Sequence, residues 1–224
     1  MPASRYKLVI GNKMWSSWSL WPWLLMRQAG IAFDEINIAL RTPETADAIK
    51  VYSPSGKIPA LVVGDLTIWD SLAIMEYLAD AHPDYAIWPR SGQARAIARA
   101  VSAEMHSGFG PLRVNCPMDF TARGLVPLDE GAITADVMRI VEIWGMCRTT
   151  FGNGGAFLFG EFSAADAMFA PVASRFVTYG IDLTAYCDDG AAADYVSVLM
   201  ALPAMAEWGR DGDAEQAQGA GMRR

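Results

Sequence analysis

The chain changes rhythm near residue 82. Before that point short apolar runs alternate with helical stretches, and after it the strand signals stop. Residues 6–10 are a β-type run. Residues 20–29 have helical spacing, with Gly30 as a natural stop. In residues 33–39, Phe33, Ile36 and Ile38 alternate with Asp34, Glu35 and Asn37, which predicts a second strand. Residues 43–52 read as a short polar helix or loop. Ala60-Leu61-Val62-Val63 and Leu66-Thr67-Ile68 flank Gly64-Asp65 and predict a hairpin. Residues 72–81 complete the half as a helix. The order βαβαββα predicts an α/β domain with a mixed sheet.

Residues 82–92 hold Pro83, Pro89 and Gly92, a linker composition. Beyond them, residues 93–106, 133–151, 163–179 and 192–202 carry helical periodicity and predict an all-α helical bundle. The expected layout is a domain over 1–82, a linker over 83–92 and a helical domain over 93–224. The tail from Gly209 is small, polar and acidic, and is expected to fray.

Composition narrows the function. A hydrophobic share of 52% and eight Trp in 224 residues specify a globular chain with room for a proper core. A net charge of −7 sets the chain against general nucleic-acid binding, because phosphates need an excess of Lys and Arg. Cys116, Cys147 and Cys187 lie far apart with no C-x-x-C pair, so they read as buried thiols in a reducing compartment. With only His82 and His106 as imidazoles, no metal site is expected. The first apolar run, Leu8-Val9-Ile10, is too short for a signal-peptide core, and no run reaches the roughly 18 apolar residues of a membrane span. The expectation is a cytoplasmic protein with no membrane partner.

Three segments could carry chemistry. A proline before an apolar strand, as in Ile58-Pro59, cannot donate to a sheet ladder, so it sits at the strand's start or edge. As a trans bond it is an ordinary entry to a strand. As a cis bond it turns the Ile58 peptide outward, where it could pair with an extended peptide ligand. Asp70-Ser71 precedes a helix. It reads either as a simple N-cap or as a place where free N–H groups and the helix dipole take a carboxylate and Asp70 an ammonium. In Trp15-Ser16-Ser17-Trp18-Ser19 the hydroxyls either cap the next helix, Ser19 being the best-placed cap, or donate to a ligand thiolate and favour its ionisation.

Taken together, these segments resemble the glutathione transferase superfamily along nearly the whole chain. Ser53-Pro54-Ser55-Gly56-Lys57-Ile58-Pro59-Ala60-Leu61 is similar to that family's stretch around its cis-proline. Trp69-Asp70-Ser71-Leu72-Ala73-Ile74-Met75-Glu76-Tyr77-Leu78 is similar to its γ-glutamyl-binding turn and helix. The resemblance implies a thioredoxin-like N-terminal domain and an all-helical C-terminal one. It implies glutathione as co-substrate, bound by Lys57, Ile58, Pro59, Asp70 and Ser71, with Ser16 or Ser17 as the activating hydroxyl of the serine-type classes. It places a second-substrate pocket for a small electrophile near Trp18, His106, Phe109 and Arg113, and it implies a homodimer. The implied activity is glutathione transfer. Glutathione-dependent isomerisation or peroxide reduction on the same site, and a ligand-binding module without turnover, are the alternatives. The loop is nearest the zeta and theta patterns. Trp18 stands where the zeta class has cysteine, and Trp21 where an arginine usually lies, and both departures count against maleylacetoacetate isomerase activity. Ser163-Ala164-Ala165-Asp166 resembles the family's capping box, a structural device.

Overall fold

A computed structural model of the protein describes residues 5–219. Its sheet has the strand order β2-β1-β3-β4. β1 (Lys7–Gly11) runs parallel to β2 (Asp34–Ile38), with Lys7 opposite Asp34 and Gly11 opposite Ile38. A parallel pair requires a crossover, and α1 (Ser17–Gln28) supplies it. β3 (Ala60–Val63) pairs antiparallel with β1 and with β4 (Leu66–Trp69). The β3–β4 hairpin turns through Gly64 at φ 59°, a conformation that glycine adopts without steric cost.

Alternation along β1 divides the packing. Leu8 and Ile10 enter the main core with residues of α1 and of α3 (Ser71–Ala81). Val9 faces the other way, into a small cluster with Ile38, Ala60 and Ile49 of α2 (Thr45–Lys50). The stretch between α3 and α4 (Gly92–Ser107) holds no helix or strand. Ile87 in that stretch is pinned to the helical half, its carbonyl accepting from the Ala164 N–H at 2.8 Å.

The helical half continues with α5 (Gly110–Asn115), α6 (Glu130–Phe151), α7 (Ala164–Tyr179), α8 (Ala191–Met200) and α9 (Pro203–Ala217), with a 3-10 turn at Leu183–Tyr186. α7 is buried at every residue except Val177 and packs on both α1 and α4. Its start is fixed by the expected capping box. Asp166 Oδ2 accepts from the Ser163 N–H at 2.8 Å and from its hydroxyl at 3.0 Å. Asp166 Oδ1 accepts from the Leu158 N–H and the Tyr195 hydroxyl. Burial pushes this carboxyl above the usual range, and the four donors oppose that shift. Trp21 and Trp23 of α1 share one continuous core with Trp144 and Phe169, so the two halves are not separately packed.

Two expectations need correction. α1 begins at Ser17, so Ser16 and not Ser19 occupies the N-cap position. The tail from Gly209 does not fray over its described length. α9 runs to Ala217, with Gly209 and Gly212 buried. A Cβ on Gly212 would stand 2.8 Å from Met14 Sδ, and one on Gly209 3.1 Å from the Phe120 ring. These glycines let the helix lie close against its neighbours, and tertiary contact outweighs their low helix propensity. Residues 220–224 of that expectation lie outside the described residues.

Candidate active site

The Ile58–Pro59 bond is cis, the isomer that the strand-addition reading needs. Ile58 and Pro59 form one wall of a cleft of about 750 Å³. Lys57, Asp70, Ser71, Trp18 and His106 also line it. Gly11 makes room for the Ile58 side chain, since a Cβ there would fall 2.7 Å from Ile58 Cδ1.

The opposite wall is the start of α3. Asp70 takes φ 76°, an uncommon conformation for a residue with a side chain, and caps the helix. Its Oδ1 accepts from the N–H groups of Leu72 at 2.9 Å and Ala73 at 3.3 Å. Its Oδ2 lies 2.8 Å from His106 Nε2 on α4, a contact between the two halves across the cleft. The next residue, Ser71, is 1% exposed and its Oγ has no hydrogen-bond partner. An unpaired buried hydroxyl costs about 1–3 kcal/mol. A carboxylate seated at this helix start would satisfy it and meet the favourable end of the helix dipole.

Ser16 and Ser17 are both buried, and neither lines the cleft. The Ser16 hydroxyl makes no cap bond. It lies 2.6 Å from Ser19 Oγ, which accepts from the Gly11 N–H at 3.1 Å. With Ser19 donating to Ser16, the Ser16 proton is free to point at a ligand. The first turn of α1 carries no acidic residue, so its dipole also favours an anion there.

Trp18, 37% exposed, lines the cleft two residues beyond Ser16. Its ring meets Trp21 edge-on at 4.6 Å and His106 at 5.1 Å. The guanidinium of Arg113 lies over Trp18 at 5.1 Å and Trp21 at 5.4 Å, and donates to the carbonyls of Gly108 and Met105. Burial lowers the Arg113 pKa, and the nearby Asp136 opposes that shift. Of the four residues expected in a second pocket, Trp18 and His106 therefore line the cleft. Arg113 stands behind Trp18, and Phe109, buried at φ 59°, forms the turn into α5.

Sequence reasoning missed Ile49, Ser55 and Trp69 among the lining residues, and Ser19 behind Ser16. Ser19 was readable as a hydroxyl three residues beyond the N-cap. Of the three cysteines expected to be buried, Cys187 is exposed, because it ends the surface 3-10 turn. Burial pushes the Cys116 thiol up to about 11 and Cys147 to about 12, so neither is a thiolate near neutral pH. Among the described residues no group of His, Cys, Asp and Glu is arranged to hold a metal ion. No helix among them is long and apolar enough to cross a membrane.

Residues 15–81 match the family model for the glutathione S-transferase N-terminal domain. A probable maleylacetoacetate isomerase of Caenorhabditis elegans is 37% identical over 82 residues, which is 37% of this chain and 38% of that protein. The maleylacetoacetate isomerase of Rattus norvegicus is 29% identical over 142 residues, 63% of each chain. These alignments span less than two thirds of either relative. A glutathione transferase homologue from Burkholderia, solved with bound glutathione, superposes with a TM-score of 0.69 at 20% identity, covering 93% of this chain and 98% of that one. Residues 15–81 thus carry the glutathione S-transferase N-terminal domain, and along nearly its whole length the chain shares the fold of glutathione transferases. Its thioredoxin-like N-terminal domain, followed by a helical one, is the superfamily's fold.

Proposed function

We propose that this protein is a glutathione transferase that binds glutathione in the cleft between Ile58 and Ser71, ionises its thiol and adds it to a small electrophile. The observation that carries the reading is the buried, unpartnered Ser71 hydroxyl on the cleft wall beside the capping Asp70. In this reading Ser71 and the start of α3 hold the γ-glutamyl carboxylate, and Asp70 its ammonium. The Ile58 peptide pairs with the cysteinyl unit, and Lys57 lies along the tripeptide. The Ser16 hydroxyl, backed by Ser19, donates to the thiolate, and Ser17 is the alternative donor. The work done is positioning plus one directed hydrogen bond. Trp18 and His106 flank the electrophile, with Arg113 and Phe109 supporting that wall.

Calorimetry with glutathione, together with the ultraviolet absorbance of the bound thiolate against pH, tests this. Ser71→Ala is expected to weaken binding about tenfold, the size of one lost hydrogen bond to a charged group. Ser16→Ala is expected to raise the bound thiol's pKa towards the free value near 8.5. If neither Ser16→Ala nor Ser17→Ala moves that pKa, the serine assignment fails.

A second reading is glutathione-dependent isomerisation on the same site, favoured by the relatives named maleylacetoacetate isomerase. A panel of conjugation, cis–trans isomerisation and peroxide substrates distinguishes the activities. The proposal extends to a cytoplasmic, detoxifying homodimer. Exposed Leu66 and Trp69 on β4 and Met138 and Met146 on α6 support the dimer, and one sizing measurement checks it.

A further inference from the structure

α9 presents one face to the loop that carries Ser16. Glu207, Trp208, Asp211, Gly212 and Glu215 repeat at helical spacing along it. The Trp208 indole N–H donates to the Lys13 carbonyl at 2.6 Å. Glu215 Oε2 accepts from the Lys13 N–H at 2.9 Å and from Asn12 Nδ2 at 3.3 Å, and Glu215 Oε1 accepts from Asn37 Nδ2. The Lys13 ammonium, on a side chain only 3% exposed, lies 2.6 Å from Asp211 and 2.7 Å from Glu35, over the rings of Trp23 and Trp208. One turn earlier on α9, Gly212 is close enough to Met14 that a Cβ would meet its sulfur.

The grip passes directly to the serine. The Asn12 carbonyl accepts from the N–H groups of Trp15 at 3.1 Å and Ser16 at 2.9 Å. The Asn12 side-chain oxygen accepts from the Leu40 N–H at 2.7 Å. Both backbone polar groups of Lys13 are thus bonded to α9, and its N–H shares one peptide unit with the Asn12 carbonyl that accepts from Ser16. In that backbone grip Glu215 supplies the carboxylate.

We propose that Glu215 is a positioning residue for the glutathione chemistry: it holds Asn12 and Lys13 so that the Ser16 hydroxyl is fixed at the thiol. The inference rests on the glutathione reading above, and it assigns α9 a part in setting thiol ionisation. Ile58, Asp70 and Ser71 lie on other elements, so holding the tripeptide does not depend on this grip.

The experiment is the pKa of the bound glutathione thiol, read by thiolate absorbance in the full chain, with kcat and KM for glutathione alongside. Glu215→Ala is expected to raise that pKa by about one unit, a tenfold fall in the thiolate-to-thiol ratio at any given pH. KM for glutathione should stay within about twofold. Glu215→Gln keeps one acceptor for Lys13 and should recover most of the shift. Glu207→Gln is the control, because Glu207 bonds Arg27 of α1, and its link to the Lys13 side chain runs through Arg27 and Glu35, not through the loop backbone. It should leave the thiol pKa at the wild-type value. Should Glu215→Ala fail to fold, Trp208→Phe removes the donor to Lys13 and carries the same expectation. A wild-type thiol pKa in Glu215→Ala overturns the proposal. So does an equal shift in Glu207→Gln, which would mean that loosening α9 anywhere has the same effect. A wild-type protein that does not bind glutathione or ionise its thiol fails the functional reading instead.

Discussion

Asp70 performs two tasks with one carboxylate. Oδ1 caps α3 through Leu72 and Ala73, while Oδ2 faces the cleft and His106. Asn keeps an oxygen for the cap and tolerates positive φ better than most residues. It loses the charge that would meet an ammonium. Asp70→Asn is therefore expected to keep its thermal midpoint within about 2 °C, while binding of glutathione weakens about tenfold. Asp70→Ala loses the cap and strains the backbone at φ 76°, and should cost about 1–3 kcal/mol of stability as well. Parallel calorimetry and denaturant titration of the two variants separate the roles. Equal binding by the Asn variant and wild type would remove Asp70 from the ligand site. Asp70-Ser71 was legible as a cap from local chemistry alone. That Ser71 is buried without a partner, and that Asp70 reaches His106, depends on how α4 is placed. No local pattern encodes that.

At the scale of elements, the strands and the longer helices could be read because their own periodicity matches the faces they bury. α5 and α9 could not. α5 is six residues long and follows Phe109 in the left-handed conformation, so it has fewer than two turns in which a period could be read. α9 carries two interior glycines and a run of acids, which locally argue against a helix. Its glycines fit against Met14 and Phe120, and its acids pair with Lys13 and Arg27, all distant in sequence. Pairing of that kind also joins α4 to α6. Arg139 donates to both oxygens of Glu104, at 2.7 and 3.0 Å, and holds that carboxyl below its usual value. A carboxyl depressed in the folded state contributes stability above its unfolded pKa, near 4.5, and loses it as pH falls through the folded value. Glu104→Gln should accordingly lower stability at neutral pH by less than about 1 kcal/mol, because the pair is exposed to solvent. The difference from wild type should shrink below about pH 4.5. Denaturant midpoints at pH 7 and at successive steps below about pH 4.5 measure it, and a difference that shrinks at none of those steps would show that the carboxylate charge is not the cause.

For the whole molecule, the decisive feature is that one core runs through both halves while the cleft opens between them. α1 packs on α7, α9 grips the loop before α1, and Asp70 meets His106 across the cleft. A ligand seated between Ile58 and Ser71 touches the α/β half directly and reaches the helical half through Asp70, Trp18 and His106. Glutathione should therefore stabilise the chain as one cooperative unit and not the N-terminal half alone. At a concentration 100 times its Kd, linkage gives about 2.7 kcal/mol. For a chain of 224 residues that corresponds to a rise of roughly 5–11 °C in the thermal midpoint. Far-ultraviolet circular dichroism, dominated by the helices, and Trp fluorescence should shift together. The shift should fall by several degrees in an Asp70→Asn, Ser71→Ala double variant. A fluorescence transition that moves while the helical signal stays in place would mean that ligand binding is confined to the first domain, and that the shared core does not couple the two.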